Sequence, residues 1–326
     1  MQLAFHPWAY AHGYNMSPHS GLKHATTAQP STVMLTLTLK SPLTLPIDVD
    51  GVLPENVINA NVTEVGNLLV WCGKQQLPLR KFFDISGSAA EDSTIQWQGC
   101  SGSNGLARVN RIGQDMTAGN MRIRGDVGLQ TGWRMQGGRI EVHGNAGDYL
   151  GAEMTGGTIA VSGDVGDHAG SRFNGEKIGM NRGQIFIQGS AGNGLGQGMR
   201  RGTIVVGKRV GKLVGWNMLA GTIICLQGCG PYPGAGMKRG TIIAAADPQA
   251  TLTIKKNDWL LPSFNPGATS AVPIFKPIKK WLAAEKIDDQ PVFSSEQLDL
   301  LDQAFQVFHG DQLSNGRGEV FLAAFR

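Results

Sequence analysis

Seven methionines mark off near-equal lengths of this chain: Met116, Met135, Met154, Met180, Met199, Met218 and Met237. The steps between them are 19, 19, 26, 19, 19 and 19 residues. Glycine stands three positions after every one, from Gly119 to Gly240. It also stands twelve and sixteen positions after six of the seven, as at Gly147 and Gly151 or Gly211 and Gly215. A fixed period near 20 residues means one structural unit stacked on copies of itself.

Each unit contains a short strand. Gly157-Thr158-Ile159-Ala160-Val161 and Gly202-Thr203-Ile204-Val205-Val206 place apolar β-branched residues five and seven positions after the methionine. That alternation predicts a strand with one buried face. A strand of five residues covers roughly 17 Å, so the repeat holds two or three short strands and their corners. Glycines suit the corners, and methionines fill the interior in register with their copies. The expected fold is mainly β: a right-handed parallel β-helix of about eight coils built on a 19-residue repeat. Ile95-Gln96-Trp97-Gln98-Gly99 aligns with Met121-Arg122-Ile123-Arg124-Gly125 and supplies the first coil. The 26-residue step adds a loop near Phe173–Lys177.

The rest of the chain divides around this array. Residues 1–33 read as a disordered or non-native extension with four histidines (His6, His12, His19, His24) and no acid. Residues 34–91 read as an N-terminal β cap, with strands at Leu35–Leu39, Asn67–Trp71 and Phe82–Ile85. The array fills 92–246, and 247–326 forms a C-terminal loop, helices and closing strand. Pro277 opens one helix through Trp281 and Leu282. Ser295 is the expected N-cap of a second, whose stripe is Leu298, Leu301, Phe305 and Phe308. That helix is expected to pack on the array's side or to seal its last coil, with docking of a partner as the alternative. Gly310-Asp311 together with Gly316–Phe321 reads as a hairpin or edge strand.

Formal net charge is only +4, but it is unevenly placed. Phe83–Glu176 holds 11 acidic and 7 basic residues, whereas Lys177–Ala246 holds nine basic and no acidic ones. The candidate docking residues are Arg182, Arg200, Arg201, Lys208, Arg209, Lys212, Lys238 and Arg239. Arg182, Arg201 and Arg239 share one repeat position and so form a line along one edge. A basic edge holds an anionic ligand or an acidic partner. Nucleic acid is not expected, because only Phe186, Trp216 and Tyr232 interleave the charges.

No catalytic constellation is legible. His143 and His168 occupy different repeat positions. Asp126 and Asp164 share a position with Asn145 and Ser190, which is turn chemistry. Gly192-Asn193-Gly194-Leu195-Gly196 consists of repeat corners and lacks the acid a dinucleotide site needs. Cys72, Cys100, Cys225 and Cys229 do not make a disulfide framework, and Cys225 takes the in-facing place of Val206. No catalytic residue, metal ligand or bound cofactor is assigned to the chain. No run spans a bilayer and no signal peptide opens the sequence, so a cytoplasmic protein is expected.

The phrases Met154-Thr155-Gly156-Gly157-Thr158-Ile159, Met199-Arg200-Arg201-Gly202-Thr203-Ile204 and Gly163-Asp164-Val165-Gly166 resemble the GXGXG family of β-solenoids. Within it, the sequence is most similar to the C subunit of formylmethanofuran dehydrogenase and of the bacterial formyltransferase/hydrolase complex. The features behind that choice are Leu79-Arg80-Lys81-Phe82-Phe83, Leu261-Pro262-Ser263-Phe264 and the Gly310-Asp311…Gly316-Arg317-Gly318-Glu319 ending. The resemblance implies a scaffold in a hetero-oligomeric enzyme of one-carbon metabolism and formaldehyde oxidation. Its implied partners are a formyltransferase subunit and an amidohydrolase-like subunit. The complex would move formyl from tetrahydromethanopterin to a methanofuran-type carrier and release formate, with the metal in other subunits. The carrier's glutamate-rich tail is one implied ligand of the basic edge. The alternatives are the C subunit of a molybdenum or tungsten formylmethanofuran dehydrogenase, and a glutamate-synthase-like structural module.

Overall fold

The computed structural model describes residues 34–90, 92–100, 105–245, 260–270 and 275–323. The amino-terminal segment with its four histidines, and residues 246–259, lie outside the described residues. The protein is mainly β. Among the described residues one 13-stranded sheet dominates, with few and short helices.

The repeat strands lie side by side in parallel and in register. Thr158, Thr203, Thr222 and Thr241 all begin strands at matched positions, as do Arg139 and Gln184. Ile140, Ile159, Ile185, Ile204, Ile223 and Ile242 then form one continuous inward column. A second parallel ladder, one residue wide, runs through Leu106, Val127, Ala146, Val165, Ala191, Val210 and Cys229. From Val127 onward, each of these residues stands eleven positions after its repeat's methionine. Neighbouring repeats are therefore paired at two places.

All seven repeat methionines are fully buried. Their spacing from glycine has a physical cause. The Met180 methyl and the Gly183 carbonyl would each lie 2.8 Å from a Cβ at Gly202, where φ is +102°. Met135 stands against Gly157 and Met218 against Gly240 in the same way. Each methionine thus occupies the space that the next repeat's glycine leaves free. The glycine sixteen positions after methionine faces the interior isoleucines: a Cβ at Gly151 would meet Ile185 Cδ1 at 2.7 Å. Two flanking positions, such as Tyr149 and Glu153, share its left-handed backbone.

The array is continued at both ends by strands that lack the repeat. Leu35–Leu39 pairs in parallel with Thr94–Gln98, and Phe83–Ser86 closes that edge antiparallel. At the other end Glu319–Ala323 pairs in parallel with Thr241–Ala244. Gly318 stands against Met237 as Gly240 stands against Met218. This strand forms an antiparallel hairpin with Phe305–His309, and it is interior, not an edge strand, because Asn265–Ser270 lies beyond that pair.

From Thr158–Val161 onward the repeat strands are buried on both faces, not one, whereas Asn120–Arg124 buries only its inward face. Ala160, Phe186, Val205, Ile224 and Ile243 point away from the isoleucine column, yet each is covered. Their cover is the C-terminal segment, chiefly Phe275, Leu282, Phe293, Leu298, Leu301 and Phe305. Lys276–Leu282 is a helix with Pro277 in its first turn. The second helix is shorter than expected. Ser294, not Ser295, caps it in a reciprocal pair with Gln297, and it spans Ser295–Asp299. It tightens at Leu300–Asp302 and the chain turns extended at Gln303. Phe305 and Phe308 therefore sit on a strand. The helices pack on the side of the sheet, and Glu319–Ala323, Phe305–His309 and Asn265–Ser270 in turn extend it past Thr241–Ala244.

Candidate functional site

The eight candidate basic residues are all exposed, but register divides them. Arg182, Arg201 and Arg239 each precede a matched strand start by two residues, with Ala220 filling the one gap. Strand spacing of about 4.8 Å sets them in a row. Arg200 and Lys238 lie one residue earlier, beside that row. Lys208 and Arg209 lie past the other end of Thr203–Val206, and Lys212 lies past the second ladder at Val210. These three are not part of the row.

The sequence pattern missed one member. Glu319 pairs with Thr241, so Arg317 takes the place that Arg239 takes one strand earlier. Its N–H is donated to the Lys238 carbonyl at 2.7 Å, and its side chain is exposed. No methionine announces that strand, so only the register finds Arg317. Four arginines then occupy five successive rungs, a span of roughly 19 Å. An extended polyanion is the ligand such spacing suits.

The aspartates in the turns serve the next repeat instead of their own. Asp126 accepts from the Asn145 N–H at 2.8 Å, Asn145 from Asp164 N–H at 2.8 Å, and Asp164 from Ser190 N–H at 2.7 Å. Asp148, Asp167 and Asn193 form a parallel chain of the same kind. His168 lies apart from His143 and stacks on Tyr149 at 5.1 Å. Cys225 and Cys229 are buried, and their mutual hydrogen bond, followed by burial, raises the Cys225 thiol well above its ordinary range.

One cluster of ligand-type groups forms that the sequence did not indicate. Glu141, His143 and Asp288 bring their donor atoms within 4.8 Å of one another. Arg124 bonds Asp288 at 2.5 Å, Arg139 bonds Glu141 at 2.7 Å, and Arg122 lies 3.6 Å from Glu141. Arg139 also faces Glu285 at 3.9 Å. Three guanidiniums thus already balance three carboxylates, and a divalent ion would leave an uncompensated double charge. The cluster reads as an ionic clasp between the sheet face and the hairpin at Lys286–Pro291. Arg122 and Glu141 stand in the outward column that is apolar from Ala160 onward.

Burial, then the nearby Arg124 charge, lowers the His143 pKa from 6.5. Burial pushes the Asp288 carboxyl up, but Arg124 and His143 outweigh it and hold it below its usual range. A lowered folded pKa means that the folded chain binds fewer protons than the unfolded one. The His143 contribution is present above the unfolded value of 6.5 and is lost as pH falls through the folded value. Stability measured by urea denaturation should therefore fall as pH drops below the unfolded value of 6.5, and His143→Gln should flatten that decline.

A groove of about 840 Å³ lies between the C-terminal helices, lined by Lys276, Lys280, Phe293, Leu298 and Asp299. Lys279 on its wall is held by Asp299 at 2.6 Å and Asp302 at 2.5 Å. Neither this groove nor the clasp sets a nucleophile beside a base. Among the described residues, no helix is long and apolar enough to cross a membrane.

A family model described as the GXGXG motif matches residues 108–261. Over 93 residues (28% of the chain), the C subunit of the molybdenum-containing formylmethanofuran dehydrogenase 1 of Methanosarcina barkeri is 35% identical. Its counterpart from Methanothermobacter marburgensis is 40% identical over 93 residues. The match spans 29% and 22% of the length of these curated relatives. A chain in the crystal structure of the formyltransferase/hydrolase complex (FhcABCD) from Methylorubrum extorquens, determined with methylofuran, matches end to end. Its TM-score is 0.75 and its identity 32%, covering 89% of this chain and 99% of that one.

Proposed function

The chain belongs to the GXGXG family that includes the C subunit of formylmethanofuran dehydrogenase and the corresponding chain of the formyltransferase/hydrolase complex, and from that premise we propose that it is a scaffold subunit of a formyltransferase/hydrolase complex. The observation that carries the choice is the end-to-end match, over 99% of the Methylorubrum chain. The archaeal relatives match only 28% of this chain.

In this reading the chain does no chemistry itself. It holds a formyltransferase subunit and an amidohydrolase-like subunit, which pass formyl from tetrahydromethanopterin to a methanofuran-type carrier and release formate. The setting is cytoplasmic formaldehyde oxidation. The paired ladders are read as a right-handed parallel β-helix, with residues 34–91 as its cap. Purifying the tagged chain from its native host tests the assignment. The expected result is a formyltransferase and an amidohydrolase-like protein in fixed ratio. A molybdopterin subunit in their place would transfer the chain to the dehydrogenase branch.

The arginine row of Arg182, Arg201, Arg239 and Arg317 is proposed to hold the carrier's anionic tail. The double variant Arg201→Glu, Arg239→Glu should retain less carrier per complex by about tenfold at low salt. The deficit should shrink at roughly 0.5 M salt. Equal carrier content in both complexes would remove the row from this role.

A further inference from the structure

Trp133 and Trp216 occupy the same place in their repeats, seventeen residues after Met116 and Met199. Their surroundings differ. Trp133 is satisfied within the chain: its indole N–H is donated to Glu153 at 3.3 Å, Phe173 meets its ring edge-on at 5.2 Å, and Arg111 and Arg134 lie over it. Among the described residues Trp216 has no ring or cation partner, and 38% of it is exposed. Tyr232 repeats the contrast. Its equivalent Tyr149 is stacked between Phe173 at 4.4 Å and His168 at 5.1 Å, whereas Tyr232 is 42% exposed with no ring partner among the described residues.

The two bare rings share one surface. The Leu213 N–H is donated to the Pro231 carbonyl at 2.9 Å, and Asn217 N–H to the Ala235 carbonyl at 2.8 Å. These bonds set the loop bearing Trp216 directly beside the one bearing Tyr232. The Trp216 carbonyl accepts from Gly198 at 2.8 Å, so the backbone is pinned on its other side too. Rigid aromatic side chains on a fixed backbone lose little entropy on binding and make strong interface anchors. Lys212 and Lys238 border the rings in sequence and Arg200 stands one repeat away, all exposed. The 70 residues from Lys177 to Ala246 contain no acid; the C-terminal segment brings Asp311 to the Gly236 N–H at 2.9 Å and the Ser314 carbonyl to the Lys238 ammonium, which leaves Arg200 and Lys212 as the rim charges without a carboxylate in reach among the described residues.

We propose that the corner formed by Trp216 and Tyr232, rimmed by Arg200, Lys212 and Lys238, docks an acidic surface of a neighbouring protein subunit. This rests on the reading of the chain as a scaffold, and it assigns that role to a corner outside the arginine row. The aromatic pair supplies the desolvated centre. The basic rim supplies orientation and rate of encounter.

The test uses the tagged full chain purified from its native host, as wild type and as the double variant Trp216→Ala, Tyr232→Ala. Both substitutions shorten exposed side chains, and equal thermal unfolding of the two chains would confirm intact folding. One co-purifying subunit should be depleted from the variant by at least about 30-fold, the equivalent of one such anchor. Lys212→Glu should deplete the same subunit at low salt and less so at high salt. Unchanged composition in the double variant overturns the proposal while leaving the scaffold assignment standing. A wild-type chain that brings no other subunit overturns both.

Discussion

Gly202→Val should lower the unfolding free energy by about 4 kcal/mol, as the sum of two costs. The first is backbone strain. Gly202 has φ of +102°, a region that a β-branched residue enters at a cost of about 1–3 kcal/mol. The second is overpacking, also about 1–3 kcal/mol. The added Cβ would lie 2.8 Å from both the Gly183 carbonyl oxygen and the Met180 methyl. The oxygen belongs to a hydrogen bond from Thr203 N–H, so it does not yield freely. Gly175 is the control: its φ is +97° but nothing lies within 4 Å of an added Cβ. Gly175→Val should cost the backbone part alone. Urea denaturation of both variants separates the two terms. If Gly202→Val costs no more than Gly175→Val, the methionine–glycine lock between repeats is not a packing constraint.

Ending the chain after Ala245 should make the chain aggregate instead of folding. The C-terminal segment covers Phe186, Val205, Ile224 and Ile243, each at most 1% exposed. Burial of each such side chain contributes about 1.5–3 kcal/mol, so removing the cover forfeits on the order of 6–12 kcal/mol. That is comparable with the whole stability of a typical domain. The same truncation removes Glu319–Ala323 and leaves Thr241–Ala244 as an unpaired edge. Size-exclusion chromatography should find aggregates, and a hydrophobic dye should bind strongly. A monodisperse truncated chain with native-like unfolding would mean that the repeats need neither their lateral cover nor their last strand.

The repeat register was legible because its determinants are local and periodic. Methionine, the glycine three residues on and the alternating isoleucines recur at fixed intervals, so one repeat predicts the next. The leader strand Leu35–Leu39 was legible from its own alternation. What escaped was long-range. The outward residues Ala160, Val205 and Ile224 fit an ordinary half-exposed strand until the C-terminal helices are placed over them. Phe305 and Phe308 continue the stripe of Leu298 and Leu301 at helical spacing, but on the strand their three-residue step sends them to opposite faces, Phe305 into the lateral cluster and Phe308 against the main core. The capping pair of Ser294 and Gln297 marks the helix start, but its end is set where Phe305 enters the sheet. The clasp joins Glu141 to Asp288, and nothing in the spacing of two residues so far apart signals contact. Arg317 became visible only through the pairing of Glu319 with Thr241.

The closing strand has a consequence for biosynthesis. Thr241–Ala244 emerges from the ribosome well before Glu319–Ala323, the strand that will cover it. At about 5–20 residues per second, its edge stays open for roughly 4–15 s. That interval is long compared with the microseconds in which strands associate, so a nascent chain is exposed to adding a strand from a neighbour. Lys238 and Arg239 stand immediately before the open strand and carry the charge that discourages such additions. The same two residues that face outward in the finished molecule would then act first as guards of an unfinished one, during the seconds before its last strand is made.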